Sequence, residues 1–526
     1  MLQLIQPQAE NTAQKYGTGL LLASLIEAAE LQDEEIRELL DPDMHLTTSS
    51  AECVKACCER LLAAKEKGEK VFVGGDYDAD GICSTAIMKY TLDALRIQNG
   101  YYIPDRFKEG YGLSEKTVRM VHEKGYSLII TVDNGVSAHE ALLAAKELGM
   151  DVIVTDHHRI EKEIEADIVV HPDYMEEAYA YLSGAGVALE ISRALIGENA
   201  ELTALAAVAA IADVMPLWRE TRKIVMNGMA VMKRGLPRSL TQLLYRPDDV
   251  NWTSIAFQIV PKLNSVGRMN DLSNVNTVVK YLLLHDEAEI SRYAQQLNHV
   301  NDVRKQLSSS MTKEAEKLVR GDALEVIYKE DFHEGICGLA AGRLANTLHR
   351  PVLVMAGAGE LIKGSGRSVP GFDMFAFFSR FECLAAFGGH EQAVGISVRR
   401  KDYETFAQEC RSRAEEAGII PEENETKAIL VKEKDITFES VSDLEKAVLL
   451  PKEMSSILFA VKDPEVAKVF RSPKVVKLTL TSGVECVIYA SKGIDVPEKP
   501  ALIAGHLSIN RWRNNITCQM EADYVE

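Results

Sequence analysis

The stretch Val71–Ala86, VFVGGDYDADGICSTA, places three carboxylates, Asp76, Asp78 and Asp80, at alternate positions just after a short apolar run. Gly74, Gly75 and Gly81 let the backbone turn sharply there. The Asp-x-Asp-x-Asp alternation aims several carboxylates into one small volume, where like charges repel unless a cation neutralises them. An isolated DxDxDG also describes an acidic surface turn or the start of a calcium loop. The calcium loop needs Glu at its twelfth position, and counting from Asp76 that position is Ile87. The cation reading rests on recurrence: Asp133-Asn134-Gly135, Asp156-His157-His158 and His171-Pro172-Asp173 each follow a further apolar run.

Those runs, Val71–Val73, Leu128–Val132, Val152–Val154 and Ile168–Val170, read as strands. Helix-like segments stand after or between them, at about Ile82–Leu95, Glu115–Lys124 and Ala138–Leu148. Strand alternating with helix predicts βαβ units and a mostly parallel sheet, and ligands bind such sheets beyond the carboxyl ends of the strands. Four successive strands deliver Asp or His to that rim, which predicts a metal site. Hard carboxylates with imidazole suit Mn²⁺ or Mg²⁺, with zinc as an alternative. The donors exceed the needs of one ion, so two ions sharing a carboxylate are expected, an arrangement suited to clamping a phosphoryl group. Leu202–Leu217 is an almost wholly apolar helix closing on Asp213, a carboxylate that needs a partner when buried; it is read as a further ligand. LSGAGVALEISRAL (182–195) reads as a glycine-rich turn entering a helix, favoured by close packing.

Farther on, Arg268 is expected in a glycine-containing loop, PKLNSVGRMND (261–271). A helical pattern over 286–320 reads as a spacer. A second α/β domain is expected over 321–400, with strands Val326–Tyr328 and Val352–Met355, a helix Cys337–Leu348, and a loop Gly364–Ser368 that could cradle an anion. The rest of the division is a helical segment at 1–65, the parallel-sheet domain at 66–285, a helical linker at 401–424 and a small β-barrel at 425–526. In that barrel Trp512 and Tyr489 are candidates for stacking bases.

The chain of 526 residues is long enough for several cores, and 46% hydrophobic with 26% charged residues is ordinary for a globular protein. A net charge of −19 opposes long-range attraction to nucleic acid or anionic membrane without excluding a local basic channel. Nine cysteines without a metal-finger spacing, no signal-peptide pattern and no apolar run of spanning length lead to the expectation of a cytoplasmic protein with no membrane partner.

DYDADG (76–81), TVDNG (131–135), TDHHR (155–159) and AIADVMPL (210–217) together resemble the motif set of the DHH phosphoesterases. YIPDRFKEGYGL (102–113), LSGAGVAL (182–189), LNSVGRMND (263–271), GSGRSVPGFD (364–373) and FGGHEQAVG (387–395) are similar to the RecJ single-stranded-DNA exonuclease branch of that family. GHLSINRW (505–512) is similar to the end of its OB-fold. Two departures stand out: the Pro- and Gly-rich entrance to the OB-fold is replaced by EMSSILFAVKDP (453–464), and His171 stands where Asn is usual.

The resemblance implies an α/β protein with a DHH domain, a long connecting helix, a DHHA1 domain and an OB-like barrel. It implies two Mn²⁺ or Mg²⁺ ions and 5′-to-3′ hydrolysis of single-stranded DNA in repair and recombination. Asp78, Asp80, Asp133, His157 and Asp213 become metal ligands, with Asp133 bridging, while Asp76 and Asp156 orient them. His158 and Arg268 would act on the scissile phosphate, and Arg106, Ser365, Arg367 and His390 would bind substrate. A single-strand-binding protein or a helicase are the protein partners it suggests. The alternatives are hydrolysis of short oligonucleotides or cyclic dinucleotides, and a non-catalytic replication or repair scaffold.

Overall fold

The computed structural model describes every residue except Met1, Lys108, Tyr111, residues 420–424, Val448, Arg513 and Asn514; the side chains of Ser491, Arg511, Trp512 and Asn515 are also outside the description. The chain forms two compact units, one of residues 46–215 and 224–423, the other of residues 1–45, 216–223 and 424–526.

The larger unit contains two sheets. The first is all parallel, in the order Asn99–Tyr102, Val71–Gly74, Leu128–Val132, Asp151–Thr155, Ile168–Val170. Its central strands VFVG and LIITV are buried at every position, the continuous apolar pattern of a sheet covered on both faces. Phe72, Ile129, Val152 and Val154 share one core with the helices Glu115–Glu123 and His139–Glu147. The helices Ala79–Ala94, Gly184–Ile196 and Ala200–Ala212 pack against one another. The edge strand Asn99–Tyr102, NGYY, was not expected; it is half-buried and carries no apolar run to reveal it.

A 30-residue helix, Glu287–Glu316, leads to the second sheet; at about 1.5 Å per residue it is about 45 Å long. That sheet runs Leu384–His390, Ala393–Arg399, Leu361–Arg367, Val352–Ala358, Glu325–Lys329, with only the last pair parallel. Here two expectations are corrected. Gly364–Arg367 is no loop but part of a central strand, paired on both sides. Its glycines make room for neighbours, since a Cβ on Gly364 would lie 2.6 Å from Met355 Cγ and one on Gly366 2.5 Å from Met374 Sδ. Phe387–His390 is likewise strand, at the sheet edge. The stretch expected as a linker at 401–424 is more than that where it is described, because the helix Tyr403–Ala417 buries Phe406, Cys410 and Ala414 in one core with Leu353, Ile362 and Phe378; its last five residues lie outside the described residues. A third correction concerns Arg268, which ends the helix Val260–Arg268.

In the smaller unit one mixed sheet of eight strands runs Leu2–Ile5, Thr426–Leu430, Leu458–Lys462, Leu502–Trp512, Asn515–Val525, Glu485–Tyr489, Val475–Leu480, Val466–Arg471. The segment expected to be wholly helical therefore begins with a strand, whose Leu2 and Ile5 pair in parallel with Thr426 and Ile429. A small β-barrel was expected for the tail; the observed β-rich sheet of eight strands also takes in the N-terminal strand Leu2–Ile5 at one end. Tyr489 ends a strand half-exposed. All nine cysteines are free thiols. Among the described residues no helix is long and apolar enough to cross a membrane.

Candidate metal centre and phosphate face

The carboxyl ends of the parallel strands converge on one cluster. After Val71–Gly74 the chain turns so that Asp78 caps the helix Ala79–Ala94, its Oδ1 accepting from Asp80 N at 3.0 Å and Gly81 N at 3.1 Å. Gly81 is required here, since a Cβ would lie 2.5 Å from the Asp76 carbonyl oxygen. After Leu128–Val132, Asp133 adopts a left-handed conformation with φ 60°, and its N–H donates to Thr155 O at 3.0 Å. A non-glycine residue held there is strained, and such strain collects at functional sites. Asn134 explains how the turn is held: its side-chain amide donates to Gly74 O and Val132 O, and its oxygen accepts from Leu113 N.

His157 Nε2 lies 3.2 Å from Asp133 Oδ1 and 3.6 Å from both Asp80 Oδ2 and Asp213 Oδ2. Asp76, Asp78 and Asp133 bring one oxygen each within 4.8 Å of one another, as do Asp80, His157 and Asp213 with their ligand atoms. Asp133 thus belongs to both neighbourhoods. Asp76, expected only to orient ligands, presents a buried Oδ1 with no hydrogen-bond partner, and His157 Nε2 is buried in the same condition.

The electrostatics record the crowding. Burial, then the neighbouring carboxylates, push Asp76, Asp78 and Asp133 above the usual carboxylate range. Burial followed by Asp80 and Asp78 lifts Asp213 to about 7. Burial holds His157 below its ordinary value, the state suited to a ligand. Two residues behave differently. Burial opposes the ionised form of Asp156, yet it ends below its ordinary value because His158 hydrogen-bonds to it and because Val136 N and His158 N donate to it. His158 Nδ1 sits 2.7 Å from Asp156 Oδ1. Burial alone would lower His158; that bond and the surrounding carboxylates raise it to about 9. His171 supports this from below, with Nε2 2.9 Å from His158 O.

Sequence reasoning missed how Asp80 is held. Gly184 N at 2.8 Å, Ala185 N at 2.7 Å and Ser183 Oγ at 3.1 Å all donate to its carboxylate. These groups form the N-terminus of the helix Gly184–Ile196, whose dipole favours the negative charge. A Cβ on Gly184 would lie 2.5 Å from Asp133 Oδ1, so the motif read as packing also fits the helix against two candidate ligands. Asn264 was missed as well: its Oδ1 accepts from Ala79 N at 2.7 Å and ties the acidic loop to the helix Val260–Arg268.

The arginines gather separately. Arg106 stacks over the Tyr77 ring at 4.9 Å. Burial, then Arg106 and Arg367, lower Arg268 to about 10, and burial with Arg106 lowers Arg367. Among the described residues none of the three is ion-paired to a carboxylate. Arg367 Nη1 donates to Ser365 Oγ at 3.0 Å and Gly366 O at 2.7 Å. The first turn of the helix Cys337–Leu348 closes over them, since a Cβ on Gly338 would lie 3.0 Å from both Arg367 Nη2 and Ser365 Oγ. The two halves of this unit meet here: Gly335 abuts the Arg268 carbonyl, and Lys363 Nζ donates to Phe107 O at 3.1 Å. His390 is not gathered in. Its register partner Ala393 pairs with Arg367, which puts His390 two strands away, about 10 Å.

Residues 70–213 match the DHH family N-terminal domain and residues 321–416 the DHHA1 domain. The single-stranded-DNA-specific exonuclease RecJ of Bacillus subtilis (strain 168) is 35% identical over 493 residues, covering 88% of this chain and 62% of that protein. RecJ of Escherichia coli (strain K12) is 34% identical over 394 residues, covering 68% of each. The chain thus spans less than two thirds of the Bacillus relative's length. RecJ from Thermus thermophilus, solved in complex with Mn²⁺, superposes with a TM-score of 0.86 at 25% identity, covering all of this chain and 79% of that one.

Proposed function

We propose that this chain, which belongs to the RecJ family of single-stranded-DNA-specific exonucleases, hydrolyses single-stranded DNA from a 5′ end with two Mn²⁺ or Mg²⁺ ions at its carboxylate rim. One observation carries the reading: Asp133 is shared by two sets of donors, and an arginine face free of carboxylate partners lies in the same unit. The donors fit such ions. Buried carboxylates pushed toward the neutral form by one another, with unpartnered atoms on Asp76 and His157, are what a divalent cation would relieve.

Asp80, Asp133, His157 and Asp213 would hold one ion, and Asp76, Asp78 and Asp133 the other. When bound, the ions supply a water of lowered pKa and neutralise charge on the phosphoryl group. The protein's own groups do the rest. The N-terminus of helix Gly184–Ile196 fixes the orientation of the Asp80 carboxylate. The His158 imidazolium, held by Asp156, donates to a non-bridging phosphate oxygen, and Arg268 stabilises the charge that develops there. Ser365, Arg367 and the adjoining helix N-terminus hold the terminal phosphate, with Arg106 beside them. The 5′ polarity is what the resemblance to the family implies; a terminal phosphate held at this site would leave the next linkage for the metals.

A substrate that must arrive unpaired suits delivery by a single-strand-binding protein or a helicase. Nine free thiols suit a reducing cytoplasm. The test is hydrolysis of 5′- and 3′-labelled single strands and duplexes, with Mn²⁺ and after its removal. Mononucleotide release from the 5′ label of single strands, dependent on the metal, is expected. Equal degradation of duplexes, or release first from the 3′ label, would contradict it.

A further inference from the structure

The segment 243–262 carries chemistry that the metal centre and the arginine face do not use. Tyr245 and Phe257 are each 68% exposed. Tyr245 N donates to Gln258 Oε1 at 2.8 Å, so the two rings rise from adjoining backbone. Phe257 sits in a π-helical turn, Ile255–Ile259, whose end residues are both buried while Phe257 is turned outward. Such turns recur at functional sites. The Trp252 ring stands edge-on to Phe257, with centroids 6.3 Å apart.

Cations brace the Tyr245 ring. The ammonium of Lys262, buried and donating to the Leu243 carbonyl, lies 4.8 Å from the ring centroid. Lys305, on the long helix, donates to the Tyr245 hydroxyl at 3.3 Å while Asp302 lies 3.4 Å from its ammonium. Burial, then Lys305, lower Lys262 to about 8. An ammonium kept at that cost beneath an exposed ring holds the ring in place and leaves its outer face open to a further aromatic partner.

The helix that carries Lys262 also ends in Arg268. Six residues at about 1.5 Å each put the two about 9 Å apart along its axis. A strand whose scissile phosphate meets Arg268 therefore has this patch within reach of its next few nucleotides. Exposed rings flanked by cations, continuous with a phosphate site, fit single-stranded nucleic acid, because every base has a stacking face and the backbone is anionic.

We infer that Tyr245 and Phe257 form a stacking platform for bases on the 3′ side of the bond being cut. The inference rests on the function proposed above and adds a grip on the strand away from the reacting phosphate.

The test uses the full chain in EDTA at fixed salt, with fluorescein-labelled oligothymidylates of two and twenty nucleotides as probes. For Tyr245→Ala/Phe257→Ala, Kd for the twenty-nucleotide strand should rise at least about tenfold, with Kd for the dinucleotide, too short to reach the patch, within about twofold. Tyr245→Trp should restore the long-strand affinity lost in Tyr245→Ala. Because both rings are exposed, melting temperature should stay at the wild-type value. Unchanged affinity for both strands overturns the platform, as does equal weakening of both with a lowered melting temperature. Wild-type protein that binds neither strand while still hydrolysing a dinucleotide would instead overturn the proposed polymeric substrate, and the platform with it.

Discussion

The acidic rim and the arginine face use opposite means to hold charge ready. At the rim, aspartates gather beyond parallel strands and, with Asp213, at a helix end, and their mutual repulsion is opposed by backbone: the left-handed Asp133, Asp78 capping its helix and the helix N-terminus on Asp80. On the face, guanidiniums rest on a strand thinned by glycine and on a tyrosine ring, with no carboxylate among the described residues ion-paired to them. Among the described residues no ion pair joins one region to the other. On the proposed function, each would keep its charge for something outside the protein, cations in one case and phosphate in the other. The difference in support predicts a difference in response: the rim should fail as a unit, while the face should lose its substrates selectively.

The largest effect is expected at the residue both donor sets share. Asp133→Asn keeps the shape and tolerates a positive φ, so hydrolysis should fall by on the order of 10³ or more. Melting temperature of the metal-free protein should hold or rise, as a crowded carboxylate is removed. Kinetics and melting curves together check it; an active or unfolded variant breaks the description of the rim.

Next is Gly184→Ala, which keeps every candidate ligand but places a methyl group against Asp133. Mn²⁺ affinity, read by calorimetry, should fall roughly 10–100-fold with the fold retained. Wild-type affinity would mean that the helix N-terminus does not position the rim.

On the face, Arg367→Ala should cost about 30-fold on 5′-phosphorylated single strands, equivalent to about 2 kcal/mol for lost charge-assisted hydrogen bonds. The loss on 5′-hydroxyl strands should be much smaller. Equal losses would reduce Arg367 to a brace for its strand.

The smallest effect is a pH dependence. Asp213 has its folded pKa raised to about 7 by burial and by Asp80 and Asp78. Such a group stabilises the metal-free fold while protonated, and that contribution is lost as pH rises from about 4 to about 7. In EDTA, wild type and Asp213→Asn should therefore melt alike at low pH, with the variant the more stable above about pH 7. A gap that closes with rising pH would contradict the crowding of the rim.

What could be read in the sequence follows from the same contrast. The rim was legible because Asp76, Asp133 and Asp156 follow their apolar strands by one or two residues, with Asp78 and Asp80 just beyond, so local order and spatial order coincide; Asp213 instead closes an apolar helix. The strand Leu128–Val132 and the helix Cys337–Leu348 are found at the expected residues. The face was less legible. Glycines in Gly364–Arg367 read as a turn because nothing local reveals Met355 and Met374, which press on Gly364 and Gly366 from one core. Arg268 read as loop because its helix opens with Pro261 and carries Gly267. The clamp of Ser183, Gly184 and Ala185 on Asp80 joins residues over a hundred positions apart; only the glycines of LSGAGVAL hinted at a close approach. The strand Leu2–Ile5 was hidden for the same reason, since its partner Thr426–Leu430 lies at the far end of the chain.

The central claim is that Asp133 serves two cations at once, and counting ions tests it most directly. Mn²⁺ titration of the full chain, followed by calorimetry and by electron paramagnetic resonance, should give two ions per wild-type chain with the spin coupling of a bridged pair. In Asp133→Asn the coupled pair should be gone. A single ion in the wild type, or a coupled pair that survives in Asp133→Asn, would contradict the account.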